Sequence, residues 1–153
     1  MKRALLLVSA LWVMLAVPLS AAASLGGDRN SVEADRVFLK ATLEQTAKSN
    51  YSVERIQVPN GVVVREYVSP AGNVFAVAWQ GPTRPDLREI LGAYFPVFLK
   101  AVPPKMNFRL LRGPVRIQAN GLVVEMAGHT RWLIGRAYLI PMLPAGVSAR
   151  EIQ

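Results

Sequence analysis

The chain has 153 residues, a net charge of +8, 52% hydrophobic and 18% charged residues, and no cysteine. One domain with a real core is the expectation at this length, and the composition is not that of a disordered chain. The absence of cysteine excludes disulfides, thiolate metal sites, a cysteine nucleophile and lipid attachment through an N-terminal cysteine.

Residues 1–23 read as a signal peptide. Met1-Lys2-Arg3 is a short basic region, Ala4 to Leu19 is apolar apart from Ser9 and Pro18, and Ala21-Ala22-Ala23 supplies small residues for cleavage. An uncleaved anchor is the alternative, but the apolar run is shorter than the roughly 20 residues a spanning helix needs. The domain is then expected over residues 24–140, with a C-terminal tail at 141–153. Without Lys2 and Arg3 two charges of the +8 are lost, leaving +6. Such a balance favours anionic partners. The basic residues are scattered, however, with no run of five like charges, as on solvated strand faces.

In chain order, Asn30 or Ser31 can cap a helix predicted over 31–47, with Ala34, Val37, Phe38 and Ala41 at helical spacing. Tyr51–Val58 reads as a strand. Asn60-Gly61 signals a hairpin, because both positions tolerate positive φ. Val62–Ser69 is the second strand, and Pro70-Ala71-Gly72-Asn73 turns the chain. Val74–Trp79 is the third. Phe75, Val77 and Trp79 alternate with Val74, Ala76 and Ala78, which predicts a central strand with a helix over its small face. Gly81-Pro82 breaks that strand. Thr83-x-x-Asp86 resembles a capping box, Pro85 suits a first turn, and Leu87, Ile90, Leu91, Tyr94 and Phe95 form an apolar helical stripe. Pro96 is expected to end or kink this helix, and Trp79, Phe75, Leu91 and Phe95 are expected to pack together. Met106–Gln118 reads as one bent or two short strands, Asn120-Gly121 as a second hairpin turn, Leu122–Ala127 and Arg131–Leu139 as the last two strands.

A repeat runs through this order. Val37-Phe38-Leu39-Lys40-Ala41 returns as Val97-Phe98-Leu99-Lys100-Ala101, and Asn60-Gly61-Val62-Val63-Val64 as Asn120-Gly121-Leu122-Val123-Val124, both 60 residues on. The alternative is coincidence in a Val- and Ala-rich chain. The fold class expected from the helices and tight turns is α+β: antiparallel sheet with two helices, and, if the repeat is real, two helix-plus-three-strand halves.

Chemistry-bearing signals are sparse. His129 is the sole histidine, at a turn, and Ser69, Asp86 and Glu125 are its available partners, but no spacing joins them. No ligand spacing for a metal and no phosphate loop is present, so no metal, cofactor or catalytic residue is assigned. Tyr67, Trp79, Trp132 and Tyr138 are candidates for a stacking platform, with Trp79 in phase for the core instead. Arg65, Arg131 and Arg136 are candidates for gripping a carboxylate or phosphate, against a reading as solubilising strand arginines. The candidate binding set is thus His129, Arg131, Arg136, Arg65 and Tyr67.

Leu25-Gly26-Gly27, Arg65-Glu66-Tyr67-Val68, Gly72-x-Val74-Phe75-Ala76-Val77-x-Trp79-x-Gly81-Pro82, Pro85-Asp86-Leu87, Gly128-His129-x-Arg131 and Gly135-Arg136-Ala137-Tyr138-Leu139 resemble, as a set, a family of small exported proteins of Gram-negative bacteria. That family is catalogued as a domain of unknown function (DUF 2844-like). The resemblance covers nearly all of the chain after residue 23. It implies an export signal and a shared fold, and it brings no activity or functional residues with it. The function expected is that of a non-enzymatic, exported binding or envelope-associated protein. The partner expected is an anionic envelope component or another exported protein, with no specific nucleic acid and no transmembrane span after cleavage. The alternatives are a small hydrolase-like enzyme using His129 with a carboxylate, and an inhibitor-like protein that binds another exported protein.

Overall fold

The computed structural model describes residues 25–38, 42–104, 106 and 114–153. The signal-peptide expectation for residues 1–23 and much of the strand expected between 106 and 114 lie outside them. Seven strands form one sheet: β1 (Thr42–Ala47), β2 (Ser52–Gln57), β3 (Val63–Val68), β4 (Val74–Gly81), β5 (Val115–Ala119), β6 (Leu122–His129) and β7 (Trp132–Leu139). Their order is β1-β2-β3-β4-β7-β6-β5, and every neighbouring pair is antiparallel. Helical structure comprises α1 (Arg29–Phe38) and a run from 87 to 101. That run consists of α2 (Leu87–Leu91), a 3-10 turn and α3 (Phe95–Ala101).

The protein is therefore mainly β, which corrects the α+β class with two helices. The long N-terminal helix is one source of the difference. Thr42–Ala47, placed at the end of the helix expected over 31–47, is edge strand β1, paired residue for residue with β2. Tight antiparallel pairing here outweighs a weak helical preference. Nor does the sheet divide into helix-plus-three-strand halves. Strands 60 residues apart stand at matching distances from the β4–β7 seam, but the sheet is continuous and β1 extends one side only.

Turn chemistry accounts for the hairpins. Asn120 and Gly121 have φ of 48° and 79° in the two-residue link from β5 to β6. Asn60 acts through its side chain instead, accepting from the Val62 N–H at 3.0 Å. Thr130 and Arg131 form the β6–β7 turn, with Arg131 at φ 70°. Asp86, not Thr83, caps α2, its Oδ1 accepting from the Arg88 N–H at 2.8 Å. Pro96 sits at the start of α3, where a missing N–H costs no helical bond.

The sheet has two covered faces. On the first, Val64, Val77, Trp79, Val124 and Leu139 pack with Leu87, Ile90, Leu91 and Phe98 of the helical run, and Phe95 is only partly buried. On the second, Tyr67, Phe75, Ala76, Ala78, Val123 and Tyr138 pack beneath the C-terminal segment, with Ile152 fully buried. The helices thus cover the bulky side of β4, and the C-terminal segment covers the small side, the reverse of the expectation. Phe75 is separated from Val77 and Trp79 because the β3–β4 register shifts at Tyr67/Val68. Such a bulge turns neighbouring residues to the same face, so Phe75 joins Ala76 and does not pack with Leu91.

Residues 140–153 form a strap. A 3-10 turn at Ile140–Met142 leads to another at Ala149–Glu151, closed by a reciprocal Ser148–Glu151 cap. Arg136 of β7 donates through Nη1 to the carbonyls of Ala149 (2.6 Å) and Ile152 (3.0 Å). The Tyr67 hydroxyl donates to the Gln153 carbonyl at 2.8 Å and accepts from the Gln153 N–H at 2.9 Å.

Candidate functional site

The register brings one row of charged residues across the second face. Glu44 pairs with Arg55, Arg55 with Arg65, Arg65 with Ala78, Ala78 with Arg136, Arg136 with Glu125, and Glu125 with Arg116. Directly opposed residues share a face of the sheet. The row therefore reads Glu-Arg-Arg-Ala-Arg-Glu-Arg across all seven strands, with the small Ala78 at its centre. Arg65 and Arg136 stand two strands apart, about 10 Å at the usual strand spacing.

Most of the row is internally neutralised. Arg55 Nη1 lies 3.1 Å from Glu44 Oε2. Glu125 receives Arg136 Nε and Nη2 at 2.6 Å and also bonds Arg116. Arg65 is different: it is half-buried and has no hydrogen bond or ion pair among the described residues.

The strap divides this face into two depressions. One, of about 540 Å³, lies over β4, β7, β6 and β5, with Gln80, Ala127 and Ile134 in its lining and the Arg116–Glu125–Arg136 cluster at one end. The other, of about 640 Å³, lies over β1, β2 and β3 and is lined by Lys48, Arg55 and Arg65, by the hydroxyl-bearing Thr46, Ser49, Tyr51 and Tyr67, and by Glu151 of the strap. Tyr51 and Tyr67 pack at 5.8 Å between ring centroids, and both pack against Phe75. Burial pushes the Tyr51 phenol up, helped by its bond to Glu151. Burial raises Tyr67 as well, opposed by its bond to Gln153 and by the nearby charges of Arg65 and Arg136. Both phenols therefore act as neutral hydrogen-bonding groups near neutrality.

A family model described as "Protein of unknown function (DUF2844)" matches residues 21–152. The chain belongs to that family. No curated protein and no solved structure matches it.

In this DUF2844 chain the expected site residues separate into two groups. Arg65, Tyr67 and Arg136 share the second face near the strap. His129 and Arg131 lie at the β6–β7 hairpin end instead, both exposed, with His129 Nδ1 3.1 Å from the Thr130 carbonyl. The side chains considered as partners for His129 have other tasks: Ser69 Oγ accepts from the Asn73 N–H, Asp86 caps α2, and Glu125 binds two arginines. Arg131, expected to open the last strand, is in the turn before β7. Of the proposed stacking platform, Trp79 is buried on the first face against Gly135, where an added Cβ would lie 2.2 Å from the indole. Trp132 is 45% exposed.

Sequence reading missed Lys48, Tyr51, Arg55 and Glu151. A signal for Arg55 existed in the Asn-Gly hairpin, since placing Gln57 opposite Val63 puts Arg55 opposite Arg65. Lys48 and Glu151 had none, being brought in by the β1–β2 turn and the strap. A separate polar cluster, also unforeseen, lies under the first face: Ser52, Glu54 and Glu66 are buried, and Glu54 directly opposes Glu66. Arg29 of α1 donates to Ser52 Oγ at 2.9 Å and approaches Glu54 at 3.8 Å. Burial pushes the Glu54 carboxyl above its ordinary value, against the pull of Arg29 and Ser52. Among the described residues no group of His, Cys, Asp and Glu is arranged to hold a metal ion, and no helix is long and apolar enough to cross a membrane.

Proposed function

We propose that this protein is a non-enzymatic, exported binding protein that engages anionic envelope material through the second face of its sheet. The observation that carries this reading is Arg65: a half-buried guanidinium without a hydrogen bond or ion pair among the described residues, in a row whose other arginines are engaged, beside a depression with several hydroxyl-bearing residues in its lining. A guanidinium offers five N–H donors in a planar fork suited to carboxylate or phosphate oxygens. The net charge adds a long-range attraction for the same partners. Export is supported by the tripartite character of residues 1–23.

Protein isolated from cells is the material for the test, its intact mass first showing whether residues 1–23 have been removed. Binding to envelope fragments is then followed from 0.1 M to 1 M salt, over which the Debye length falls from about 10 Å to about 3 Å. Binding is expected to drop steeply. Association unchanged at 1 M salt would point to an apolar, partner-specific interface and overturn the reading.

A further inference from the structure

We infer that the depression between β1, β2, β3 and the strap is a built subsite for one carboxylate or phosphate group carried on a hydroxyl-rich molecule, with Arg65 as the residue that takes the charge. This rests on the anionic-ligand reading above and narrows it to a site and a ligand chemistry.

Four observations converge. First, Arg65 has its donors uncommitted among the described residues, whereas Arg55 is held by Glu44, and Arg136 by Glu125 and two strap carbonyls. A guanidinium drawn partly out of water is best matched by a bidentate oxyanion. Second, the cations outnumber the anion in the lining. Lys48, Arg55 and Arg65 stand against Glu151, and Glu151 is already committed to the Ser148 N–H (2.7 Å) and the Tyr51 hydroxyl (3.2 Å). Third, the remaining polar groups suit a polyol. Thr46 and Ser49 present neutral hydroxyls that donate or accept. Fourth, the volume of about 640 Å³ lies within the range of small-molecule sites, and its wall is stiffened by Tyr51, Tyr67 and Phe75 packed on one another. Uncharged sugars would leave the guanidinium unmatched. Simple inorganic anions would leave the hydroxyls unused.

Two probes share the required chemistry and separate its sources: an oligogalacturonate for a carboxylated sugar and glucose 6-phosphate for a phosphorylated one, with galactose as the uncharged control. Affinities are measured by calorimetry at low salt, and contacts by amide shifts in nuclear magnetic resonance spectra. At least one anionic probe should bind, galactose much more weakly, with shifts at Thr46, Tyr51 and Arg65 and none at the 128–132 hairpin. Arg65→Gln should weaken binding about tenfold or more, the effect of losing a charged hydrogen-bonded pair. Arg65→Lys should restore only part, because the fork is lost. Glu151→Gln keeps one oxygen to accept from the Ser148 N–H, offers its amide NH2 to the Tyr51 hydroxyl oxygen, and removes the opposing charge, so it should strengthen binding. Equal affinity of wild type and Arg65→Gln, shifts confined to another face, or binding of neither anionic probe would overturn the subsite. If salt-sensitive binding to envelope fragments survives those outcomes, the broader reading stands without it. Loss of fragment binding at low salt in the wild type would remove both.

Discussion

Two phenylalanines three residues apart show how little a residue's type says of its energetic weight. Phe98 is 1% exposed within the first-face core, whereas Phe95 is partly buried and carries Arg88 over its ring at 5.2 Å. Phe98→Ala is expected to cost about 3 to 5 kcal/mol, the range for removing an aromatic from a core. Phe95→Ala should cost clearly less, and paired denaturant midpoints decide the ranking. Glu54 makes a second case. Its folded carboxyl titrates above the ordinary value because of burial. A raised folded value favours the protonated form in the native state. Its stabilising effect is therefore fully present below the unfolded carboxylate value, about 4.3, and is lost as pH rises through the higher folded one. Glu54→Gln, which stays neutral, should gain stability relative to wild type as pH rises through that window. Denaturation curves at several pH values check it. The opposite slope would mean that the Arg29 charge dominates over burial.

At the scale of elements, the strap is the least conventional part of the fold. It has no strand and no long helix, yet it closes one face of a seven-stranded sheet. It is held by the fully buried Ile152, by the partly buried Met142, Leu143, Val147 and Ala149 packed on the same cluster, and by Arg136 and Tyr67 bonding its backbone. Backbone carbonyls at such a closure require donors, and a guanidinium reaching two of them at once supplies these from a single side chain. Ile152→Ala is expected to destabilise by about 2 to 5 kcal/mol, as for large-to-small changes in a core. Arg136→Met should leave β4 and β7 protected in hydrogen exchange while exchange speeds up in residues 148–153. Uniform loss of protection would show that the strap and sheet unfold as one unit.

For the whole molecule, the sheet is more than a scaffold for loops. Its seven strands lay out a charge row that no single element contains, and the strap apportions that row between two depressions. One depression includes a cluster that satisfies itself, Arg116–Glu125–Arg136; the other holds Arg65, which has no hydrogen bond or ion pair among the described residues. With a net +8 on the full chain, steep salt dependence is expected of the molecule and ligand selectivity of the one depression. The salt titration and the Arg65 variants measure these separately.

The sequence by itself determined what depends on neighbours along the chain. Asn120-Gly121 marked a hairpin because its backbone needs positive φ, and Gly81-Pro82 marked the end of β4 because proline cannot continue a central strand. The strands β3 and β7 were legible for the same reason, from runs of β-branched and aromatic residues bounded by turn residues. What the tertiary structure alone decided depends on register and on distant partners. Thr42–Ala47 is a strand because β2 offers it a ladder. Phe75 changes face because one residue of slip at a bulge reverses alternation. Arg65 and Arg136 become neighbours across Ala78 through a pairing between strands more than fifty residues apart. Arg136 is committed, and Arg65 has no partner among the described residues, because a carboxylate and a strap reach the first and not the second, and no spacing along a chain can express that.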